Sequence, residues 1–184
     1  AAAGEGASPE LLADDPGGTL FTFVGVDVMM VGLRLRGHIN FTGAAPLHLR
    51  NCTFAPLRSA SSPQGPRLLS FSGSRAELEH VRLSDWGAGA LRIDGGIATL
   101  RSCELARNRA ARGGAALVTA GILNLVATLG EANAAEVEGG ALAIDGAGEV
   151  LLADGTLLRG NGAPTGALAI VAAGARLQYG LPAP

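Results

Sequence analysis

The sequence is poor in aromatic residues. Phe, Trp and Tyr together account for 4% of the 184 residues, whereas 28 residues are glycine. A conventional globular core fills much of its volume with large rings, and this composition excludes a core of that kind. Because 48% of the residues are hydrophobic, the chain still has the material for a sizeable interior. We therefore expect a narrow interior built from small and branched aliphatic side chains.

Charge is also scarce, and lysine is absent. Asp, Glu and Arg make up 16% of the residues, the formal net charge is −2, and all 14 basic residues are arginine. Nucleic acids and anionic membrane surfaces are held mainly by an excess of basic side chains, so we predict neither partner. The arginine bias fits the codon usage of a GC-rich genome, since Ala and Gly are abundant as well. An arginine-specific anion site is the alternative.

No apolar run is long enough to span a bilayer. The most apolar stretch, residues 20–33, is too short and contains Asp27, which favours a pair of buried strands over a membrane anchor. We predict no direct membrane insertion. The sequence begins without an initiator methionine or a signal-peptide pattern, and we expect it to be a processed product or a segment of a longer protein.

One apolar phrase recurs along the chain. It consists of a glycine, one or two alanines and a leucine, followed by a glycine turn and a second short apolar strand. Its leucines, spaced 26, 25 and 26 residues apart, are Leu91, Leu117, Leu142 and Leu168. A strand phrase of the form L-x-x-[C/V]-x-[F/L] extends the pattern into the first half, at 47–54, 76–83 and 98–105. Self-similarity at a nearly fixed period is typical of repeat architectures.

The repeat predicts the fold class. Short apolar strands alternating with glycine turns at a period of 22–29 residues favour an all-β, right-handed parallel β-helix of about six to seven coils. We place this solenoid at residues 20–180, with a surface loop at 58–66 and a tail at 181–184. Residues 1–19 are expected to form an irregular lead-in or a cap. Glycines every few residues argue against the helical alternative.

Stacked repeats place equivalent side chains in columns, which leads to two predictions. The four repeated leucines (Leu91, Leu117, Leu142 and Leu168) should form one inner ladder. Cys52 and Cys103 should share a column with Val81 between them, which separates the two cysteines by two coils, or roughly 9.6 Å. Because a disulfide requires Cα atoms within about 7 Å, we predict two free, buried thiols. The alternative is a disulfide of an extracellular protein.

The polar tail of each repeat contains an asparagine, at Asn108, Asn133 and Asn161. Two interpretations remain open for these residues. They could form an internal ladder in which the amides of successive coils hydrogen-bond to one another, or each could be an ordinary turn residue. Both interpretations are structural.

No set of residues predicts catalysis, a cofactor or a metal site. Asp94 and Asp145 fall in one column two coils apart, where a glycine corner favours Asp. The acidic residues of 131–154 are scattered over turns and strands, which favours a solvated face over a calcium cage. The three histidines lie in different columns, without a nucleophile and an orienting acid beside them.

Two triplets match the acceptor pattern for N-linked glycosylation. They are Asn40–Thr42 ("NFT") and Asn51–Thr53 ("NCT"), which lie close together on the aligned surface of the predicted solenoid. We therefore predict glycans on Asn40 and Asn51. Together they indicate a protein of the secretory pathway that resides outside the cell or at its surface.

The repeats resemble those of known β-helical proteins over roughly residues 20–180. The stretch "MMVGLRLRG" at 29–37 looks like a strand-turn phrase of pectin-lyase-like right-handed β-helices. The "GGAA" and "GGAL" phrases, followed by "LARN", "LGEAN" or "LLRGN", are similar to the G-G-A-[I/L/V] and F-x-x-N repeats of polymorphic outer membrane proteins, with Leu in place of Phe. This resemblance implies a cell-surface role that is adhesive or structural. The glycosylation triplets favour a eukaryotic surface or wall protein with the same solenoid.

The first functional hypothesis is a non-enzymatic, extracellular β-helical segment that acts as a rigid spacer or adhesive module within a larger cell-surface or filament protein. Its expected partners are flanking coils of the same parent chain, neighbouring subunits of a surface assembly, and glycans. The alternative is a carbohydrate-active β-helix, a polysaccharide lyase or glycoside hydrolase whose catalytic residues lie outside this segment. A third hypothesis is a segment that binds a partner subunit through the open strand edges at its ends.

Overall fold

The computed structural model describes residues 9–12, 19–56, 65–73 and 75–180. All regular structure in these ranges is β-strand. They contain no helix that is long and apolar enough to cross a membrane. The predicted all-β fold class is confirmed.

The described strands have three to six residues, except for β11, β14 and β17, which have 11 residues each. In chain order they are β1 (Glu10–Leu12), β2 (Thr19–Val24), β3 (Val28–Val31), β4 (Arg34–Arg36), β5 (His38–Thr42), β6 (Leu47–Arg50), β7 (Thr53–Ala55), β8 (Leu69–Ser72), β9 (Arg75–Glu79), β10 (Arg82–Ser84), β11 (Leu91–Arg101), β12 (Glu104–Ala106), β13 (Arg109–Arg112), β14 (Ala116–Val126), β15 (Leu129–Glu131), β16 (Ala134–Glu138), β17 (Leu142–Leu152), β18 (Leu157–Arg159), β19 (Ala169–Val171) and β20 (Arg176–Tyr179).

The strands pair in parallel, and neighbours in a sheet come from successive repeats. One sheet has the order β1-β4-β7-β10-β12-β15-β18. A second, of eleven strands, follows β2-β5-β8-β11-β14-β17-β19, with β3, β6, β9 and β20 completing it, and β13 pairs with β16 in a third. A chain that returns to the same sheets once per repeat winds as a parallel β-solenoid. The solenoid has about six turns.

Two of the predicted segments lie wholly or mostly outside the part of the chain that the structure describes. The predicted loop at 58–66 falls there except for Gly65 and Pro66, and the predicted tail at 181–184 falls there entirely. Strand β1 lies within residues 1–19, the predicted lead-in, and pairs with β4 in parallel register. The first sheet therefore already has a strand in that segment.

The interior is one hydrophobic cluster that extends through the stacked coils. One inner column consists of Phe23, Phe41, Phe71, Ile93, Val118, Ile144 and Val171. The rings of Phe23 and Phe41 stack with their centroids 5.0 Å apart, and those of Phe41 and Phe71 are 5.7 Å apart. Aromatic rings thus fill this column in the first coils, and β-branched aliphatic side chains continue it through the later ones.

The predicted leucine ladder is wrong in its register. Leu91 and Leu142 do share one inner column, and both are fully buried. However, the residue between them is Ala116, and the next residue in the column is Ala169. The inner column therefore alternates between leucine and alanine in this part of the solenoid.

The other two leucines of the predicted ladder lie elsewhere. Leu117 pairs with Arg92 on the outward side of the sheet, and Leu168 is 46% exposed. In the second copy of the phrase, the additional alanine Ala116 takes the inner position, which keeps Val118 in the column of β-branched residues. Because a shift of one residue moves a side chain to the other face of a strand, Leu117 turns outward.

The alignment of the second strand phrase is confirmed. Leu49, Leu78 and Leu100 occupy one column, and Leu125 and Leu152 continue it. All five side chains are at most 8% exposed. The shared phrase therefore identified residues that lie directly above one another.

The asparagines form an internal ladder, which is the first of the two interpretations that the sequence left open. The backbone N–H and the Nδ2 of Asn108 both donate to Asn133 Oδ1 at 3.0 Å. The same two groups of Asn133 donate to Asn161 Oδ1 at 2.9 and 3.0 Å. The ladder begins at the backbone N–H of Trp86, which donates to Asn108 Oδ1 at 3.1 Å. Because Asn108 and Asn133 are fully buried, these bonds satisfy polar groups that water cannot reach.

Outward columns carry opposite charges on successive coils. The ion pairs between coils include Arg50–Glu79, Arg82–Glu104, Asp85–Arg107 and Glu131–Arg159, with N–O distances of 2.8, 3.1, 2.7 and 2.9 Å. Exposed pairs of this kind contribute little stability individually. A shifted register would separate these partners, so the pairs favour the observed alignment.

Replacing Asn133 by Ala should lower the free energy of unfolding by about 2–4 kcal/mol. The substitution leaves the backbone N–H and the Nδ2 of Asn108 without their acceptor inside the solenoid, and each buried polar group left unpaired costs about 1–3 kcal/mol. Urea unfolding followed by circular dichroism measures the change.

The matched control is Asn124→Ala, on a half-buried position of β14. The Asn124 Nδ2 donates only one weak bond among the described contacts, to Thr99 Oγ1 at 3.3 Å, and its loss should cost less than about 1 kcal/mol. Equal destabilisation by the two substitutions would contradict a structural role for the internal ladder.

Candidate functional site

A groove of about 430 Å³ lies on the outward face of the eleven-stranded sheet. Its floor follows one outward column, in which Asn40 pairs with Ser70, Ser70 with Arg92, and Arg92 with Leu117. These residues alternate along their strands with inner side chains such as Phe41 and Phe71, and this alternation turns them outward. The strand pattern therefore places a row of mainly polar side chains at the bottom of the groove.

Residues that precede β8 and β14 form the wall of the groove. Residues 65–67 lead into β8, and Ala111 and Arg112 are the last two residues of β13, just before the turn into β14. Asp94, at the other end of the floor, follows the inner residue Ile93 on β11. Three arginines of the chain therefore line one groove, and they lie far apart in sequence: Arg67, Arg92 and Arg112.

Arg67 is the most unusual residue of the groove, because its charged side chain is only 7% exposed. Its Nη1 donates to the carbonyl oxygens of Leu91, at 3.2 Å, and Gly113, at 2.5 Å, and its Nη2 donates to that of Arg112. Among the described contacts, all of its acceptors are backbone carbonyls and none is a carboxylate. The guanidinium therefore closes a corner of the solenoid without an ion pair of its own.

The electrostatic environment of Arg67 disfavours its charge. Burial, followed by the positive charges of Arg92 and Arg112, lowers the pKa of Arg67 from its ordinary value to about 9, and the negative charge of Asp94 opposes the change. The guanidinium is still protonated at pH 7, because that pH lies well below its pKa. The surroundings of Arg67 are thus more positive than a buried cation prefers.

A glycine makes room for this guanidinium. Gly89 has a φ of +88°, and a Cβ atom at this position would lie 2.3 Å from Nη1 of Arg67 and 2.8 Å from its Cζ. The left-handed conformation and the close approach of the arginine both require glycine. The turn before β11 is therefore shaped around the Arg67 side chain.

The other two arginines are held by carboxylates. Arg92 Nε donates to Asp94 Oδ2 at 2.6 Å. Burial raises the pKa of Asp94, but the hydrogen bonds from Arg92 and Thr119 outweigh it and hold the pKa below its ordinary value. Arg112 donates from Nη1 and Nη2 to the two oxygens of Asp145 at 2.6 and 2.8 Å. Both arginines are thus fixed in position at the edge of the groove.

His38 completes the polar lining at the start of β5. The side chain is 6% exposed, and its Nδ1 donates to the carbonyl oxygen of Arg67. Burial lowers the pKa of His38, which the backbone hydrogen bonds only partly offset. His38 is therefore neutral at pH 7 and adds no charge to the groove.

The predicted pairing of two aspartates in one column is wrong. Asp94 pairs with Ala120, but Ala120 pairs with Ala147 and not with Asp145. The register shifts between Val118 and Ala120, which leaves Asp145 free to bind Arg112. In the described ranges, no group of three or more His, Cys, Asp or Glu side chains is placed to hold a metal ion.

The two predicted glycosylation sites differ in their surroundings. Asn40 is half-buried within β5 and pairs with Thr22 on one side and Ser70 on the other. Asn51 is exposed in the turn after β6, where its φ is +54°. A sugar on Asn40 would occupy the groove, whereas a sugar on Asn51 would extend from a corner into solvent.

The two cysteines are buried and free. The backbone N–H of the residue after Val81 donates to the Cys52 carbonyl oxygen, and that of the residue after Cys103 donates to the Val81 carbonyl oxygen, at 2.9 Å each. Val81 therefore separates the two cysteines in their column. The Cys103 Sγ donates to the carbonyl oxygen of Leu78 at 3.4 Å.

A second depression, of about 260 Å³, lies beside Met29 on the outward face of β3, β6 and β9. Its charged residues include two ion pairs, His48–Glu77 at 3.5 Å and Arg50–Glu79 at 2.8 Å. Among its lining residues, no buried side chain carries a charge. The arginine groove is therefore the better candidate for a binding site.

Replacing Gly89 by Ala should destabilise the protein by about 3 kcal/mol or more, because the methyl group would overlap the Arg67 guanidinium in addition to straining the turn. Gly32→Ala is the control, since Gly32 has a φ of +68° but nothing within 4 Å of its Cβ position. We expect about 1–2 kcal/mol for this control. Thermal and urea unfolding measure both changes, and equal losses would show that the fit around Arg67 adds no stability.

The folded protein should protect Cys103 from thiol reagents. Burial raises the pKa of the Cys103 thiol from 9.0 to about 11, and such reagents attack the thiolate. In Cys52→Ala, Ellman's reagent at pH 8 should therefore release no thiol signal from the folded protein and one equivalent in urea. The contribution of the neutral Cys103 thiol to the free energy of unfolding should be complete below pH 9 and be lost as the pH rises towards 11. Rapid modification of the folded protein at pH 8 would contradict the buried position.

Neither Arg67 nor the groove that it lines was predicted from the sequence. The one available signal was the exclusive use of arginine, which raised an anion site as the alternative to codon bias. No protein-family model, curated protein or solved structure matches this chain.

Proposed function

We propose that the chain is a non-enzymatic, extracellular segment of a larger cell-surface or filament protein, in which it acts as a rigid spacer or adhesive module. The observation that carries this proposal is the continuity of the parallel ladders. The first sheet runs through seven strands, and the column of Leu49, Leu78, Leu100, Leu125 and Leu152 runs beneath the second without a break.

Continuous ladders favour a mechanical role. Each coil is held to the next by backbone hydrogen bonds, by the hydrophobic columns and, in the second half, by the asparagine ladder. At about 4.8 Å per coil, six turns form a rod roughly 29 Å long. Bending this rod would require many hydrogen bonds to open at once, so a solenoid of this kind keeps its two ends at a fixed separation.

The last described strands favour the binding of a partner at that end of the rod. Each of β18, β19 and β20 has one paired neighbour among the described strands. Side chains there that continue inner columns are exposed, with Val171 at 41%, Leu177 at 36% and Tyr179 at 75%. Unpaired strand edges with apolar side chains favour pairing with a further strand. We propose flanking coils of the parent chain or a neighbouring subunit as the partner.

The family relationship is part of the same proposal. A parallel solenoid with glycine corners is consistent with the resemblance to pectin-lyase-like β-helices and to the repeats of polymorphic outer membrane proteins. Both resemblances support a surface location, as do the two glycosylation triplets. An enzyme of the carbohydrate-active class would instead require catalytic residues beyond this segment.

Antibody labelling of cells that express the parent protein tests the proposal. An antibody raised against the folded segment should label intact cells as strongly as permeabilised ones. Labelling only after permeabilisation would overturn the extracellular location. Cleavage of polygalacturonate by the parent protein, lost when one acidic residue is replaced by alanine, would overturn the non-enzymatic role.

Expression in a glycosylating host tests the glycosylation sites directly. The surroundings of the two residues change the prediction made from the sequence, in which both carry glycans. We expect a glycan on Asn51, which is exposed at a turn, and none on Asn40, which is half-buried between paired strands. Asn51→Gln should therefore remove the glycan mass from the secreted protein, and Asn40→Gln should leave it unchanged. A glycan on Asn40 alone would contradict this assignment, and a secreted protein without any glycan would remove this support for the surface location.

A further inference from the structure

We propose that the arginine groove binds an oxyanion group of a ligand, such as sulfate, phosphate or carboxylate, with Arg67, Arg92 and Arg112 supplying the positive charge. This inference is independent of the structural role proposed above, because a spacer needs no such site. It is carried by the charges that line the groove, by the fixed positions of the three guanidinium groups, and by the space between them.

The residues that line the groove have a positive excess. Three of them are arginines, one is a carboxylate, Asp94, and His38 is neutral at pH 7. Asp145 and Glu138 contact Arg112 but do not line the groove. Arg112 therefore has its counter-ions outside the groove, Arg92 has one inside it, and Arg67 has none among its described contacts.

The positive charges are held in place before any ligand arrives. Three backbone carbonyls hold Arg67, Asp94 holds Arg92 through Nε, and Asp145 holds Arg112 through both terminal nitrogens. Guanidinium groups fixed in this way lose little conformational freedom on binding, which favours affinity. A guanidinium group can donate two N–H groups to one oxyanion, and among the three arginines Arg92 is the one whose described bond uses only Nε.

Some donors of the groove are not used within the described part of the chain. The only acceptor found there for Arg92 is bound through Nε, so its terminal nitrogens can donate into the groove. Ser70 lies beside Arg92 on the floor, and Asn40 lies beside Ser70 in the next coil. An oxyanion above this floor would therefore meet an amide and a hydroxyl as well as the guanidinium.

Arg67 provides the physical reason for an anion in particular. Burial first, and then the positive charge of Arg92, disfavour the charged form of Arg67 and lower its pKa. An anion in the groove would supply the counter-charge that Arg67 lacks among its described contacts and would gain charge-assisted hydrogen bonds. The volume, about 430 Å³, lies within the range of small-molecule sites, so the oxyanion can belong to a larger molecule.

Binding is tested with inorganic sulfate, inorganic phosphate and acetate as probes. Because sulfate also stabilises proteins by exclusion from their surface, a thermal shift alone is not diagnostic. Arginine Nε–H signals should instead be followed by NMR during titration at constant ionic strength, with chloride as the reference salt. We expect saturable shifts of the Arg67 and Arg92 signals. The probe with the lowest Kd distinguishes tetrahedral from planar oxyanions as the preferred group.

The diagnostic variant is Arg92→Gln, which removes a charge from the exposed edge and leaves the corner around Arg67 intact. It should weaken binding of the preferred probe by about tenfold or more, since charge-assisted hydrogen bonds contribute about 1.5–3 kcal/mol. Arg75→Gln is the matched control, because Arg75 also pairs with an acid two residues later, Glu77, but lies outside the groove. It should leave the Kd unchanged.

Three outcomes would overturn the proposal. They are shifts that rise linearly without saturation for all three probes, equal weakening by Arg92→Gln and Arg75→Gln, or an unchanged Kd in Arg92→Gln.

Two controls accompany these measurements. Circular dichroism of each variant verifies that the solenoid is intact. The double variant Arg92→Gln/Asp94→Asn keeps the net charge of the groove constant. If binding is weakened equally in the single and double variants, the lost guanidinium is responsible and the unpaired Asp94 is not.

Discussion

The register between successive coils is the constraint on which the rest of the structure depends. A parallel solenoid has no local hydrogen-bonded unit, because each strand obtains its backbone partners from the coils above and below. Every coil must therefore present its inner residues, corner residues and outward charges at the same positions as its neighbours. The asparagine ladder is the strictest expression of this rule, since Asn133 must both accept from Asn108 and donate to Asn161. A coil displaced by one residue would leave these buried amides unpaired and point its apolar side chains outward.

This constraint explains which parts of the fold could be predicted from the sequence. The phrase around Leu49, Leu78 and Leu100 repeats without insertions, so equal letters lie in one column. The leucine phrase contains one additional alanine in its second copy, and the corner glycine and the β-branched column then set the register in place of the leucine. A pattern of letters cannot show which of two neighbouring apolar residues turns inward. Only the pairing of the whole strand with its neighbours decides it.

The candidate site lay beyond sequence reasoning for a different reason. Arg67 precedes β8, Arg92 lies on β11 and Arg112 ends β13, and none of them belongs to a recognisable motif. Their proximity follows from the winding of the chain, which brings residues about one repeat apart into contact. The burial of Arg67 could not be predicted either, because it depends on carbonyl groups of two later corners and on the space left by Gly89. The single compositional signal, arginine without lysine, also had a simpler explanation in codon usage.

The corner that buries Arg67 connects the stability of the solenoid with the chemistry of its surface. The guanidinium lies in an unfavourable electrostatic environment, where it donates hydrogen bonds to buried carbonyl groups near the starts of β11 and β14. A neutral donor could serve those carbonyls without the cost of burying a charge. The use of a cation at this position, with Arg92 and Arg112 beside it, therefore has a physical rationale in a ligand that carries the opposite charge. Without a bound anion, burial of the Arg67 charge would still cost free energy, and no interaction in the groove would offset that cost.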